Sequence, residues 1–138
     1  ARQARDEDRI DIEEALARAL DEGEVYRTYN LVDALAIIAD PNSTELLVQV
    51  YEHSPYSRTR TEVLKALQAN GNEVGARLGE ESLWDCESET RDLGISISQR
   101  SNRVLLRVRE IAENRFEEDL TQQTARRWLE ERGELQTK

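Results

Sequence analysis

Between residues 34 and 71, ALAIIADPNSTELLVQVYEHSPYSRTRTEVLKALQANG, apolar residues recur at helical spacing in segments cut by turn signals. The cuts are Asp40-Pro41, Ser54-Pro55 and Asn70-Gly71. Pro removes a backbone donor and restricts the residue before it, and Gly readily takes the left-handed conformation that ends a helix. The stretch therefore predicts two amphipathic helices between turns, with little room for a sheet. An internal match extends the pattern. DALAIIAD at 33–40 falls on EVLKALQAN at 62–70 with a shift of 29, pairing Leu35 with Leu64 and Ile38 with Leu67. A shift of 31 brings Ala15, Leu16, Ala19 and Leu20 onto Leu46, Leu47, Val50 and Tyr51. A helical hairpin repeating at that period cannot bury its apolar face alone, so its neighbours must share a core.

The rest of the chain is read by the same periodicity. Residues 1–9 are nearly all polar or charged and predict an N-terminal arm, with order beginning near Ile10 in a single domain over 10–138. Expected helices run to Gly23, from Thr28 to Ala39, from Ser43 to Glu52 and from Ser57 to Ala69. Asn42 and Glu45 form a loose capping box before the third. Beyond Gly71 the pattern predicts an irregular helix over 73–84, then a loop or broken helix containing the short β-like run ISIS. Ser101 is the expected cap of a helix over 102–112 with Val104, Leu105, Val108 and Ile111 inside. Phe116, Leu120, Thr124 and Trp128, at four-residue steps, predict the apolar face of a last helix over 117–132 that caps the stack.

Composition narrows the function classes. The net charge is −10, with 29 carboxylates against 19 bases, which argues against general nucleic-acid binding. No apolar run approaches the roughly 20 residues that span a bilayer, so a soluble chain is expected. The chain starts ARQARDEDR and contains no Met, as expected of one processed or cut from a longer precursor. A cytoplasmic location is the first expectation, with a periplasmic or membrane-anchored soluble domain as alternatives.

Few residues have the pattern of chemistry. His53, the only histidine, stands at a predicted helix end, where its ring can satisfy terminal carbonyls. Glu13-Glu14, Glu80-Glu81 and Glu117-Glu118-Asp119 are neighbours that point apart on a helix, so no metal site is expected. Cys86 lies between Asp85 and Glu87, surroundings that disfavour a reactive thiolate, and GARLGEE lacks the Lys-Ser/Thr end of a phosphate loop. No catalytic residue or cofactor is assigned. Tyr26, Tyr29, Tyr51 and Tyr56 gather near the hairpin turns, either as packing with wet hydroxyls or as an aromatic contact surface. Arg100, Arg103 and Arg107 predict one exposed strip, and with Arg109 they give residues 99–110 a net +3. The strip either neutralises the acidic stretches 11–24 and 73–92, each at −5, or binds an acidic peptide.

Ala34-Leu35, Ile38, Asp40-Pro41, Leu46-Leu47, Pro55, Arg60, Ala66-Leu67 and Gly71 together resemble the short bacterial HEAT-like repeats of the phycobilisome-lyase type. The resemblance covers about a third of the chain well and weakens after Gly71, where no second Asp-Pro occurs. It implies an all-α fold: a short α-solenoid of stacked antiparallel helical hairpins with a C-terminal capping helix. It implies a bracing role for Arg60 between repeats, with partner contact as the alternative. It also implies a non-catalytic scaffold that binds another protein or peptide on its second helices, with Tyr29, Asp33, Arg58, Glu62, Lys65, Arg103 and Arg107 as contacts. The alternative it carries is a pigment-handling protein of the phycobilisome-lyase type.

Overall fold

The computed structural model describes residues 2–71 and 73–135, with side chains from Arg5 onward. Ala1, Asn72 and the last three residues of the expected domain lie outside the described residues. The fold is all-α, and the expected helical class is what the described residues form. The chain divides into two compact units, Ala1–Val74 and Gly75–Lys138, where the sequence reading draws one repeat domain after a charged arm.

The first unit holds α1 (Arg2–Asp21), α2 (Val25–Ile38), a 3₁₀ turn (Pro41–Ser43), α3 (Thr44–His53) and α4 (Ser57–Ala69). Helix α1 begins at Arg2, well before Ile10, and the sequence missed this because it weighed polarity without the contacts that Arg9 makes. Gly23, at φ +70°, ends α1. Its N–H donates to the Leu20 carbonyl at 3.3 Å and the Glu24 N–H to Ala19 at 2.9 Å, satisfying two carbonyls left open at the helix end. Helix α2 stops instead at Ala39, a left-handed alanine at φ 55° just before Asp40-Pro41. Helix α2 packs on α4, α1 on α2, and α3 on α4. Leu16, Val32, Leu35, Leu47, Val50, Val63, Leu64 and Leu67 are sealed from water between them. Each such side chain contributes about 1.5–3 kcal/mol by burial. The expected cap of α3 is different in the structure: the Asp40 carboxylate accepts from the Asn42 N–H at 2.8 Å, and Asn42 itself caps nothing.

The second unit contains α6 (Ser88–Ile97), α7 (Asn102–Glu113), α8 (Asp119–Glu131) and all but the first two residues of α5 (Glu73–Ser82). ISIS is helical. Ile95 to Ile97 form the last turn of α6, because Ile95 is buried in the core and Ile97 covers Gly79 of α5. Helices α5 and α6 cross at Gly79 and Gly94, where a Cβ on Gly94 would stand 2.7 Å from the Gly79 carbonyl oxygen. Ser101 caps α7 as expected, its Oγ accepting from the Val104 N–H at 3.1 Å. Val104, Val108 and Ile111 are buried and Leu105 packs beside them.

Helix α8 packs on α6 and α7, but with a different face from the one expected. It buries Thr121, Ala125, Trp128 and Leu129, while Phe116 is 82% and Leu120 67% exposed. Steps of four residues drift by about 40° each on a helix of 3.6 residues per turn, so positions twelve apart diverge by about 120°. Phe116 and Trp128 cannot share a face.

Candidate partner-binding faces

In the first unit, α2 and α4 bring together five of the seven expected contact residues. Tyr29 Oη donates to Glu62 Oε1 at 3.4 Å, and Lys65 Nζ donates to the same oxygen at 2.9 Å. Glu62 is only 7% exposed, and a carboxylate this covered needs those donors. The negative charge of Glu62 raises the Tyr29 hydroxyl above its ordinary value of 10.0, with burial and the hydrogen bond adding to it. Asp33, exposed on α2, pushes in the same direction, so Tyr29 stays a neutral donor.

Next to this group lies a shallow recess of about 280 Å³ lined by Tyr26, Tyr29, Asn30, Tyr56 and Arg58. Tyr56 stands edge-on to Tyr26, with ring centroids 6.0 Å apart and planes at 63°, and is tilted against Tyr29 at 6.3 Å. The rings stay at this spacing because Tyr56 precedes the first turn of α4 and the other two share one side of α2, at i and i+3. Tyr26 is 75% exposed. Asn30 was missed by the sequence reading, although its spacing from Tyr26 placed it on the same stripe. Tyr51 is half-buried on α3 and does not line the recess.

Arg103 and Arg107 belong to the second unit. Their guanidiniums stand 4.6 and 5.5 Å from the ring centre of Trp84, a residue sequence reasoning treated only as a helix end. Arg107 donates from Nε to the Leu83 carbonyl at 3.0 Å and from Nη1 to Glu110 at 3.0 Å, and Arg103 lies 3.5 Å from Glu80. The expected continuous arginine strip is split. Arg100 and Arg109 turn instead to Glu134, which the hydrogen bond from Arg100 holds below its ordinary value of 4.5. Arg100 lies before α7 and is not bound to its register, while within the helix Arg103 and Arg107 are one turn apart and Arg109 points well round from both.

Two further arrangements fix the frame. Arg9 donates from Nη1 to both Glu13 oxygens at 2.8 and 2.7 Å, and its Nε lies 3.4 Å from Asp40 in an ion pair without hydrogen-bond geometry. Ser43 Oγ donates to Glu13 at 2.6 Å, so α1 is pinned to the Asp-Pro turn. His53 Nδ1 lies 2.9 Å from the Gln49 carbonyl, the helix-end role expected of it. Exposed Cys86 donates to Asp85 at 3.5 Å. Among the described residues no three His, Cys, Asp or Glu side chains converge as a metal shell would, and no helix is long and apolar enough to cross a membrane. Comparison with protein-family profiles, with curated proteins and with solved structures gives no match.

Proposed function

We propose that the chain is a non-catalytic protein-binding module. On this reading its first unit is a pair of stacked HEAT-like hairpins, α1–α2 and α3–α4, and the partner docks on the second helices. The close packing of α2 on α4 supports that arrangement. The observation that carries the reading is the aromatic recess: three tyrosines beside Arg58, with Tyr26 left in water. Tyr and Arg dominate binding energy at interfaces because they offer large contact areas and directional donors. Arg58 has no ion-pair partner among the described residues, so a partner's carboxylate is the chemistry that fits it. Tyr29, Asp33 and Lys65 form the polar rim, with covered Glu62 holding Tyr29 and Lys65 from beneath, and Arg103 and Arg107 on Trp84 are a separate candidate contact.

At about 280 Å³ the recess falls just below the roughly 300–1,000 Å³ of pockets that enclose small molecules. This recess therefore suits a partner's side chain rather than an enclosed pigment. The test is a photo-crosslinking residue placed at Tyr26 and, as control, at exposed Arg127 of α8. A discrete protein adduct is expected from position 26 alone and should vanish in Arg58→Glu. Identical adducts from both positions, or none, count against the reading. With the partner identified, Tyr26→Ala should weaken binding by about 2 kcal/mol or more, the cost at which an interface residue counts as a hot spot. Stability should change by less than about 0.5 kcal/mol, because so exposed a side chain contributes little to the fold. A fall in melting temperature without loss of binding would make Tyr26 a packing residue.

A further inference from the structure

The segment after α8 folds back onto α7, and the side chain that keeps it there is an acid set between two arginines. Gly133, at φ +66°, closes α8: its N–H donates to the Glu130 carbonyl at 3.0 Å and the Glu134 N–H to Leu129 at 2.9 Å. Glu134 is thereby delivered to Arg100 and Arg109. Arg100 donates from Nε at 3.0 Å, and from Nη2, to Oε1. Arg109 Nη2 donates to Oε2 at 3.2 Å and to the Glu134 carbonyl at 3.3 Å. One carboxylate and its own backbone oxygen take donors from both guanidiniums.

Beside this fork lies a cleft of about 530 Å³. Ala112, Leu129 and Leu135 line it, Leu135 following directly on Glu134 and 37% exposed. Arg126 stands on its rim and has no ion-pair partner among the described residues. Glu113 is on the rim too, so with Glu134 displaced the lining would carry two arginines to one acid.

We infer that Arg100, Arg109 and the adjoining cleft form a receptor for an acidic residue followed by an apolar one in a partner polypeptide, and that Glu134 occupies its arginine fork as an internal, displaceable ligand, with Leu135 on the cleft wall. Charge complementarity and the seated segment both point to this occupant. The hold is light. Arg100 is 57% and Arg109 40% exposed in their side chains, and pairs so open to water contribute at most about fivefold each to an equilibrium. A partner segment with a second acid, placed to reach Arg126, has a contact that the internal segment lacks. This surface is separate from the tyrosine recess and stands or falls independently of it.

The probe is an end-blocked, fluorescent peptide Arg-Gly-Glu-Leu-Gln-Thr, copying residues 132–137, with a twin carrying Gln for Glu. Binding is followed by anisotropy on the full chain. Glu134→Ala protein should bind the Glu peptide roughly five- to twentyfold more tightly than wild type, because the competitor is gone. Adding Arg100→Gln and Arg109→Gln should erase the preference for the Glu peptide over its twin. Raised ionic strength on the Glu134→Ala protein gives the same reading without arginine variants: it should weaken the Glu peptide and spare the twin. Equal affinity of the two peptides, or no gain from Glu134→Ala, overturns the inference. So does a wild-type mass that doubles with concentration and returns to monomer in Glu134→Ala, which would make a second copy the occupant.

Discussion

Arg91 ties two loops of the second unit together. It donates from Nε to Glu117 at 2.9 Å and from Nη2 at 2.5 Å, while Nη1 reaches the carbonyls of Asp85 at 2.7 Å and Cys86 at 2.9 Å. The pair is well covered, with 14% of the Arg91 and 4% of the Glu117 side chain exposed. Arg91→Ala would leave a buried carboxylate without its cation and should cost about 3 kcal/mol in chemical denaturation. Burial alone would push the Glu117 carboxyl up. Hydrogen bonds from Arg91 and the Glu118 amide, with the Arg91 charge, outweigh burial and hold it below its ordinary 4.5. An acid whose folded value is depressed contributes stability that is present above its unfolded value and lost as pH falls through the folded one. Wild type should therefore lose more stability below pH 4.5 than Glu117→Gln, and equal losses in the two proteins would discard the assignment.

At the level of helices, the crossing of α5 and α6 rests on two missing side chains. A Cβ on Gly94 would meet the Gly79 carbonyl oxygen at 2.7 Å, and backbone cannot step aside. A Cβ on Gly79 would meet the Ile97 side chain at 2.4 Å, which can turn to another rotamer. Gly94→Ala should cost about 1–3 kcal/mol and Gly79→Ala distinctly less, read from denaturation midpoints. The reverse order would mean that the helices cross elsewhere. Helix α8 gives a second test: Trp128→Ala should cost about 3–5 kcal/mol and Phe116→Ala less than about 0.5. Similar costs would restore the face first expected from the sequence. The contrast also marks what was legible. Helix α4 was readable to the residue because Pro55 and Gly71 bracket it and Val63, Leu64 and Leu67 are spaced for one face. ISIS and the buried face of α8 were not, because β-branched isoleucines and a four-residue rhythm are local signals overruled by the Gly79–Gly94 approach and by the burial of Trp128 beside Ala125 and Leu129. Among candidate contacts, the pairing of α2 with α4 was legible through the repeat. Trp84, Glu134 and the link from Arg9 to Asp40 were not, since these partners lie 19 to 34 residues apart and no periodicity announces them.

For the chain as a whole, acidity sets the response to salt. A net charge of −10 means that repulsion among carboxylates acts across the surface, whereas exposed pairs such as Arg27–Glu24 and Arg77–Glu81 contribute about 0–1 kcal/mol each. Raising salt to about 0.1 M, where screening acts over about 10 Å, should therefore raise the melting temperature. A fall would show that the ion pairs outweigh the repulsion. The links between α1 and the Asp-Pro turn also set a clock on synthesis. Ser43 follows Glu13 by 30 residues, and a ribosome adding about 5–20 residues per second needs about 1.5–6 s to make that stretch. Helix–coil exchange is over in about a microsecond, so α1 forms and melts a great many times before its anchor exists. Until α2 is complete, late in that interval, Leu16 and Ala19 have nothing to cover them, and the run of charges ahead of them, the same run that disguised the helix as an arm, keeps the nascent segment in solution.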